Sequence, residues 1–248
     1  MNRVWTIALG FLACCCCRDA GEASCWMRPG DEATRTQIWS EADLRTLTLY
    51  DQVDVTWRRD TIPGVTVIWT GPEHLLDFAT TEWEGQHLMI GHADRCEWAR
   101  RLDLVVKAEI VSTAYDVLEL RGQGAFSMDS VWRGERLIVE AFASSSVAEL
   151  QVDADTLTVK LHAGPTATDV LGKVQVLEAY SSGLGALDAS SCQVHKAFIN
   201  QSGVIPLQFS AAEYAYVGIH SPGDVILHGG SPSELTLETT STGELIEQ

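Results

Sequence analysis

Four acidic side chains, Asp129, Glu149, Asp169 and Asp188, follow one another along the C-terminal half of the chain at spacings of 20, 20 and 19 residues. Carboxylates brought into line offer hard oxygen ligands for Ca²⁺, or acceptors for a cationic or sugar partner. The same cluster would serve a polysaccharide lyase if a basic side chain stood beside it, and Lys160 and Lys173 are the bases at hand. Elsewhere the chemistry is sparse. The seven His are scattered, and His220 with His228 does not have the spacing of a metal-ligand pair. There is no P-loop, dinucleotide fingerprint, metalloprotease motif or Ser-His-Asp order, so the sequence calls for no metal and no cofactor.

The element that would align the four carboxylates is a repeat. Gly124, Ser144, Gly164, Gly183, Gly203, Gly223 and Gly243 recur at gaps of 20, 20, 19, 20, 20 and 20 residues. A fixed short period signals one structural unit stacked on itself. Four residues beyond each corner stand Met128, Ala148, Thr168, Leu187, Leu207 and Leu227. The next position holds the acidic residues, then Gln208 and His228, and the one after it is small or apolar again. In–out–in alternation is the period of a strand with one buried face, and a helix would not return the third residue to the first one's side. Because alternation alone demands polar outward residues, a solvated face accounts for the acidic column as well as a site does.

A second alternating stretch fills the other half of each unit, as in Leu137-Ile138-Val139, Leu157-Thr158-Val159, Val174-Gln175-Val176, Tyr214-Ala215-Tyr216 and Leu235-Thr236-Leu237. Its register slips between units, which predicts a bulge or uneven turn. Two strands and a corner per unit give an all-β parallel β-solenoid with coils of about twenty residues, and six coils would stack about 30 Å high. Gly122-x-Gly124 is then a corner of that repeat. Residues 116–248 carry these coils, and 41–115 reads as a less regular N-terminal β region capping the same domain. Within it, alternation predicts strands near 47–49, 53–57, 65–69 and 86–90, with a short helical turn at Glu73–Phe78.

The front end reads as an export signal. Arg3 precedes a ten-residue apolar run, Val4 to Ala13, which at about 1.5 Å per residue is too short to span a bilayer as a helix. Residues 1–13 are therefore expected to be a signal peptide, with small Ala13 before Cys14 forming a lipobox and Cys14 the lipidated residue. Cys15 is the competing position, and residues 14–40, polar and without periodicity, read as a tether. No other stretch is apolar enough to cross a membrane. With Cys14 to Cys17 at the membrane end, Cys25, Cys96 and Cys192 remain, and an oxidising compartment favours pairing two of them. Cys192 falls inside a repeat, aligned with Ala212 one unit on, which leaves Cys25 with Cys96 as the expected disulfide.

Several stretches resemble one family. Val53-Asp54-Val55-Thr56, the segment Cys96-Glu97-Trp98-Ala99-Arg100-Arg101, and Ser221-Pro222-Gly223-Asp224-Val225 followed by Gly229-Gly230-Ser231-Pro232 occur in the order found in bacterial proteins described as putative autotransporter adhesin, head GIN domain. The lipoprotein members from Bacteroidetes are the most similar in these stretches. The resemblance covers about residues 40–248 and implies a right-handed parallel β-helix in the cell envelope. Fewer Ser-Gly pairs and more Trp set this chain apart from the family pattern.

A formal net charge of −17 and a pI near 4.6 exclude nucleic acid as a natural partner, since that calls for basic patches. Six of the eight Trp lie between Trp26 and Trp98, where they could stack sugars or fill a core. The reading at this level is a lipid-anchored, non-catalytic solenoid with a glycan or protein ligand, an outer membrane lipoprotein facing the periplasm or the cell surface. A carbohydrate-active β-helix enzyme and a periplasmic scaffold working through an open terminal coil are the alternatives.

Overall fold

The computed structural model of the protein describes residues 31–92 and 106–248, so the signal and lipidation calls at residues 1–13 and Cys14, and the Cys25–Cys96 pairing, lie outside it. Strand accounts for 65% of the described residues and helix for 2%, and the strands wind into a β-solenoid of about 7 turns with coils about 20 residues apart. All of them join one 19-stranded sheet.

The repeating part runs from β8 (Val117–Leu120) and β9 (Ala125–Met128) through β10 (Trp132–Ala141), β11 (Val147–Leu161) and β12 (Ala167–Ser181). It continues with β13 (Ala186–Ala189), β14 (Cys192–Gln201), β15 (Leu207–Ser210), β16 (Tyr214–Ile219), β17 (Val225–His228), β18 (Glu234–Thr239) and β19 (Leu245–Glu247). Leu137, Leu157, Leu177 and Ala197 lie opposite one another in successive coils, each fully buried. Removing such a stack of side chains from water, at about 1.5–3 kcal/mol for each large aliphatic one, holds the coils in place.

The uneven turn takes a specific form. In the ladders of β10 through β14, Glu135, Asp155, Gln175 and His195 are passed over while their neighbours pair, so each coil bends at one exposed residue. Beyond the bend the period is not constant. Lys196 lies opposite Tyr214 and Leu207 opposite Val225, both steps of 18 residues. As a result Tyr214 and Tyr216 face outward and Ala215 inward, the reverse of the alternation expected at that unit.

At the corners backbones approach closely. A Cβ on Gly223 would lie 2.6 Å from the Gly203 carbonyl oxygen, closer than side chains tolerate. Gly164 has φ +85° and is stacked on Ser144. Ser144 itself is buried and completes the corner through its hydroxyl, 2.6 Å from that of Thr166.

The N-terminal region contributes coils out of chain order. The strands β2 (Thr46–Leu49) and β3 (Asp54–Arg59) pair in parallel with β8 and β9 on one side. On the other they pair with β6 (His87–His92) and β7 (Lys107–Ser112). The excursion between them carries β4 (Gly64–Pro72), the single turn α1 (Glu73–Leu76) and β5 (Ala79–Glu84). There β4 and β5 pair antiparallel with β7 and β6.

One expectation needs correcting. Within the stretch 14–40 read as a tether, β1 (Glu32–Ser40) is a nine-residue strand pairing antiparallel with β4. Its less exposed positions are Ala33, Arg35, Gln37 and Trp39, and two polar residues in that set hid the alternation. Arg35 is held by a 2.7 Å bond from Nη2 to the Ala79 carbonyl, and Trp39 stacks on Trp83 at 5.8 Å.

Candidate functional site

Three of the four acidic residues stack. Glu149 lies opposite Asp169, Asp169 opposite Asp188, and Asp188 opposite Gln208, one coil apart at about 4.8 Å. Asp129 does not join them, because Glu149 faces Ser127 instead. Two more residues separate β9 from β10 than separate the equivalent parts of β11, and Asp129 falls in that bend with its N–H donated to the Trp57 carbonyl. There it adds to the field around Arg58, whose guanidinium is held above its ordinary pKa first by a 2.6 Å bond to Glu109 and further by Asp60 and Asp129.

The remaining three carboxylates line a shallow cleft of about 400 Å³ with Gln151, Leu171 and Ser191. Asp188 is tied down by the Ser190 N–H at 2.9 Å and the Ser190 hydroxyl at 2.6 Å. Among the described residues no group of three His, Cys, Asp or Glu is arranged to hold a metal ion. Nor do the two lysines serve this cleft. Lys173 pairs with Asp153 at 3.3 Å, and Lys160 pairs with Glu140 at 2.6 Å on a different strand segment. Both lysines that could act as the base of a lyase are thus paired with carboxylates outside the stack.

The other candidates resolve into structure. His220 bonds Thr240 at 2.9 Å and His228 bonds Gln208 at 3.0 Å, each a link between successive coils. Trp57, Trp69 and Trp132 are core residues, and each indole N–H has a partner: Ser112, Thr81 and the Tyr115 carbonyl. Cys192 is buried in the core, and burial raises its thiol pKa from an ordinary 9.0 to about 11. It lies opposite Gly172. The step to β16 is 18 residues, so on the other side Cys192 meets Ser210, whose hydroxyl donates to its carbonyl, and not Ala212.

A second surface was not visible in the sequence columns. A run of rings crosses successive coils, with Phe142 and His162 one residue past the ends of β10 and β11, and Tyr180, Phe198 and Tyr214 at outward positions of β12, β14 and β16. Phe142 is stacked on His162 at 4.7 Å with an interplanar angle of 13°, and His162 lies 6.0 Å from Tyr180. Phe198, two positions off the Tyr180 register on the next coil, lies 5.6 Å from Tyr214. The Arg121 guanidinium closes one end, 4.3 Å over the Phe142 ring. The rings step diagonally, by 20, 18, 18 and 16 residues, which is why a fixed twenty-residue count scatters them among columns.

A model of the family described as "Putative auto-transporter adhesin, head GIN domain" matches residues 43–231. The chain belongs to this family. Solved structures share its fold at low identity. A putative adhesin from Bacteroides fragilis NCTC 9343 superposes with a TM-score of 0.76 at 14% identity, covering 90% of this chain and 100% of that one. A putative lipid binding protein from Parabacteroides distasonis ATCC 8503 gives 0.63 at 18% identity, covering 88% and 97%. A putative adhesin from Parabacteroides merdae ATCC 43184 gives 0.59 at 12%, covering 88% and 97%. No curated protein matches the sequence. The head GIN chain described here therefore shares an architecture with these proteins, and its surfaces are its own.

Proposed function

We propose that this head GIN protein is a lipid-anchored, extracytoplasmic binding protein of the cell envelope that engages a glycan or protein partner without converting it. The observation that carries the reading is the solenoid itself, in a family described as adhesins. Its coils present long, flat outward faces stacked at about 4.8 Å, suited to an extended partner. Anchoring rests on the order of charges and apolar residues at the front, from Arg3 through Val4–Ala13 to Cys14, and implies an outer membrane lipoprotein. No helix among the described residues is long and apolar enough to cross a membrane, so a lipid would be the attachment this reading supplies. A disulfide between Cys25 and Cys96 belongs to the same oxidising location.

The enzyme alternative has one observation in its favour, the carboxylate-lined cleft of about 400 Å³. It is weakened by the commitment of Lys160 and Lys173 to other acids. The binding reading is tested with the native lipidated protein on intact cells. Metabolic labelling with a fatty-acid analogue should mark wild type and miss Cys14→Ser. Capture from the cell surface or envelope should return a specific glycan or protein that the unlipidated protein also binds in solution. Failure to label either Cys14 or Cys15 would remove the anchor, and failure to retain any envelope component would remove the binding role.

A further inference from the structure

We infer that the ring-bearing face of β12, β14 and β16 is a platform for an uncharged polysaccharide, an inference that rests on the binding role proposed above and assigns its surface. Three of the chain's five Tyr (Tyr180, Tyr214 and Tyr216) and Phe198 lie on this one face, at outward positions where alternation requires only a polar residue. Tyr180 and Phe198 at its centre are 36% and 43% exposed. Leaving large rings in water forgoes their burial energy, and grouping them on one flat face creates a patch of the kind that marks an interaction surface.

Geometry and charge narrow the partner. Neighbouring rings whose contact is given stand 4.7, 6.0 and 5.6 Å apart, a step comparable to one pyranose unit. Phe142 lies between Arg121 and His162, so the rings open to an extended sugar chain are those from His162 to Tyr214. A pyranose offers its C–H face to the electron-rich face of an aromatic ring while its hydroxyls look for donors and acceptors at the ring's edge. Such groups flank the strip. Asn200 lies in register with Tyr180, and Glu178, bonded to Thr158 at 2.8 Å, lies in register with Phe198. The Tyr216 hydroxyl reaches Glu238 at 2.7 Å. Polyanionic glycans are repelled by a protein of net charge −17, while beside the rings Glu140 and Glu178 are balanced by Lys160 and Arg136, which leaves the face without a net charge to select an ionic partner.

The test is affinity gel electrophoresis of the whole folded protein through mannan, xylan or β-glucan, with heparin as the anionic probe. Wild type should be retarded by at least one neutral polysaccharide and not by heparin. Tyr180→Ala and Phe198→Ala should each weaken that retardation by roughly tenfold, the contribution of one stacked ring. Tyr180→Trp should retain it, and Ile62→Ala, at an equally apolar but separate surface site 70% exposed, should leave it unchanged. Retardation that survives in both alanine variants would overturn the assignment. So would retention by phosphatidylethanolamine vesicles in place of every polysaccharide, which would make the face lipid-binding. If no neutral polysaccharide is bound while envelope capture persists, this inference falls and the binding role stands. If envelope capture fails as well, the binding role falls too.

Discussion

At the scale of single residues, the environment of a side chain decides its chemistry more than its identity does. Cys192 is the sharpest case, a thiol whose pKa burial pushes up to about 11. Unfolding returns it to about 9.0, so the unfolded chain releases a proton first. The stability due to keeping it neutral is complete below that value and is lost as pH rises toward the folded one. Cys192 in the native protein should accordingly resist iodoacetamide at pH 8 and react fully once denatured. Chemical denaturation should find wild type losing more stability between pH 8.5 and 10.5 than Cys192→Ala. Rapid alkylation at Cys192 of the native protein, read by peptide mapping because Cys15 to Cys17 also carry thiols, would show that this thiol is not in the core. The acidic stack is the opposite case, with Glu149 and Asp169 exposed, Asp188 half-buried and no metal-holding group of three among the described residues. Asp169→Asn removes a charge flanked by Glu149 and Asp188 and should raise stability by up to about 1 kcal/mol at low ionic strength. Added Ca²⁺ should not raise the melting temperature of wild type selectively; if it does, the stack is a cation site after all.

At the scale of elements, the inward residues of the strands carry the stability and the outward ones are free for other uses. Leu207 is buried opposite Leu187 and Val225, whereas Gln208 on the same strand faces out. Leu207→Asp buries a carboxylate with no partner and should cost about 3 kcal/mol or more in urea unfolding, while Gln208→Asp should cost well under 1. Equal losses would mean the alternation has been assigned to the wrong face. This alternation was legible in the sequence because hydrophobic burial imposes a period of two on every coil. The corner column was legible because stacked backbones leave no room for Cβ at Gly223. What was not legible follows from the same physics. Steps of 18, 21 and 22 residues move Asp129 out of the acidic stack and turn Tyr214 and Tyr216 outward. A bend can take up one or two extra residues without disturbing the core, so pattern alone does not fix the count. In β1 the signal was lost because Arg35 and Gln37 occupy positions where apolar residues are the usual guide.

At the scale of the whole molecule, a stacked fold has two ends, and the two are finished differently. Antiparallel β1, β4 and β5 cover the N-terminal coils. At the other end, Leu235 and Leu237 continue the inward columns of Ala215 and Val217, and Leu237 is 50% exposed. That coil carries Glu234, Glu238, Glu244 and Glu247, with no Lys, Arg or His from Gly229 to Gln248. Charge on an open edge is a known guard against edge-to-edge association. A variant carrying Glu234→Gln, Glu238→Gln and Glu244→Gln together should associate end to end in sedimentation velocity at concentrations where wild type does not. Identical sedimentation would mean that charge does not protect this end.

The central claim is that the molecule binds an extended partner along its flat faces and does not transform it. The most direct measurement follows retention and product together, with the purified protein incubated with the neutral polysaccharides and assayed for bound glycan, for new reducing ends and for unsaturated product. The account predicts retention that depends on Tyr180 and Phe198, with no product at any time point. Product from any polysaccharide, lost in Glu149→Gln or Asp169→Asn, would contradict it and make the carboxylate cleft an active site.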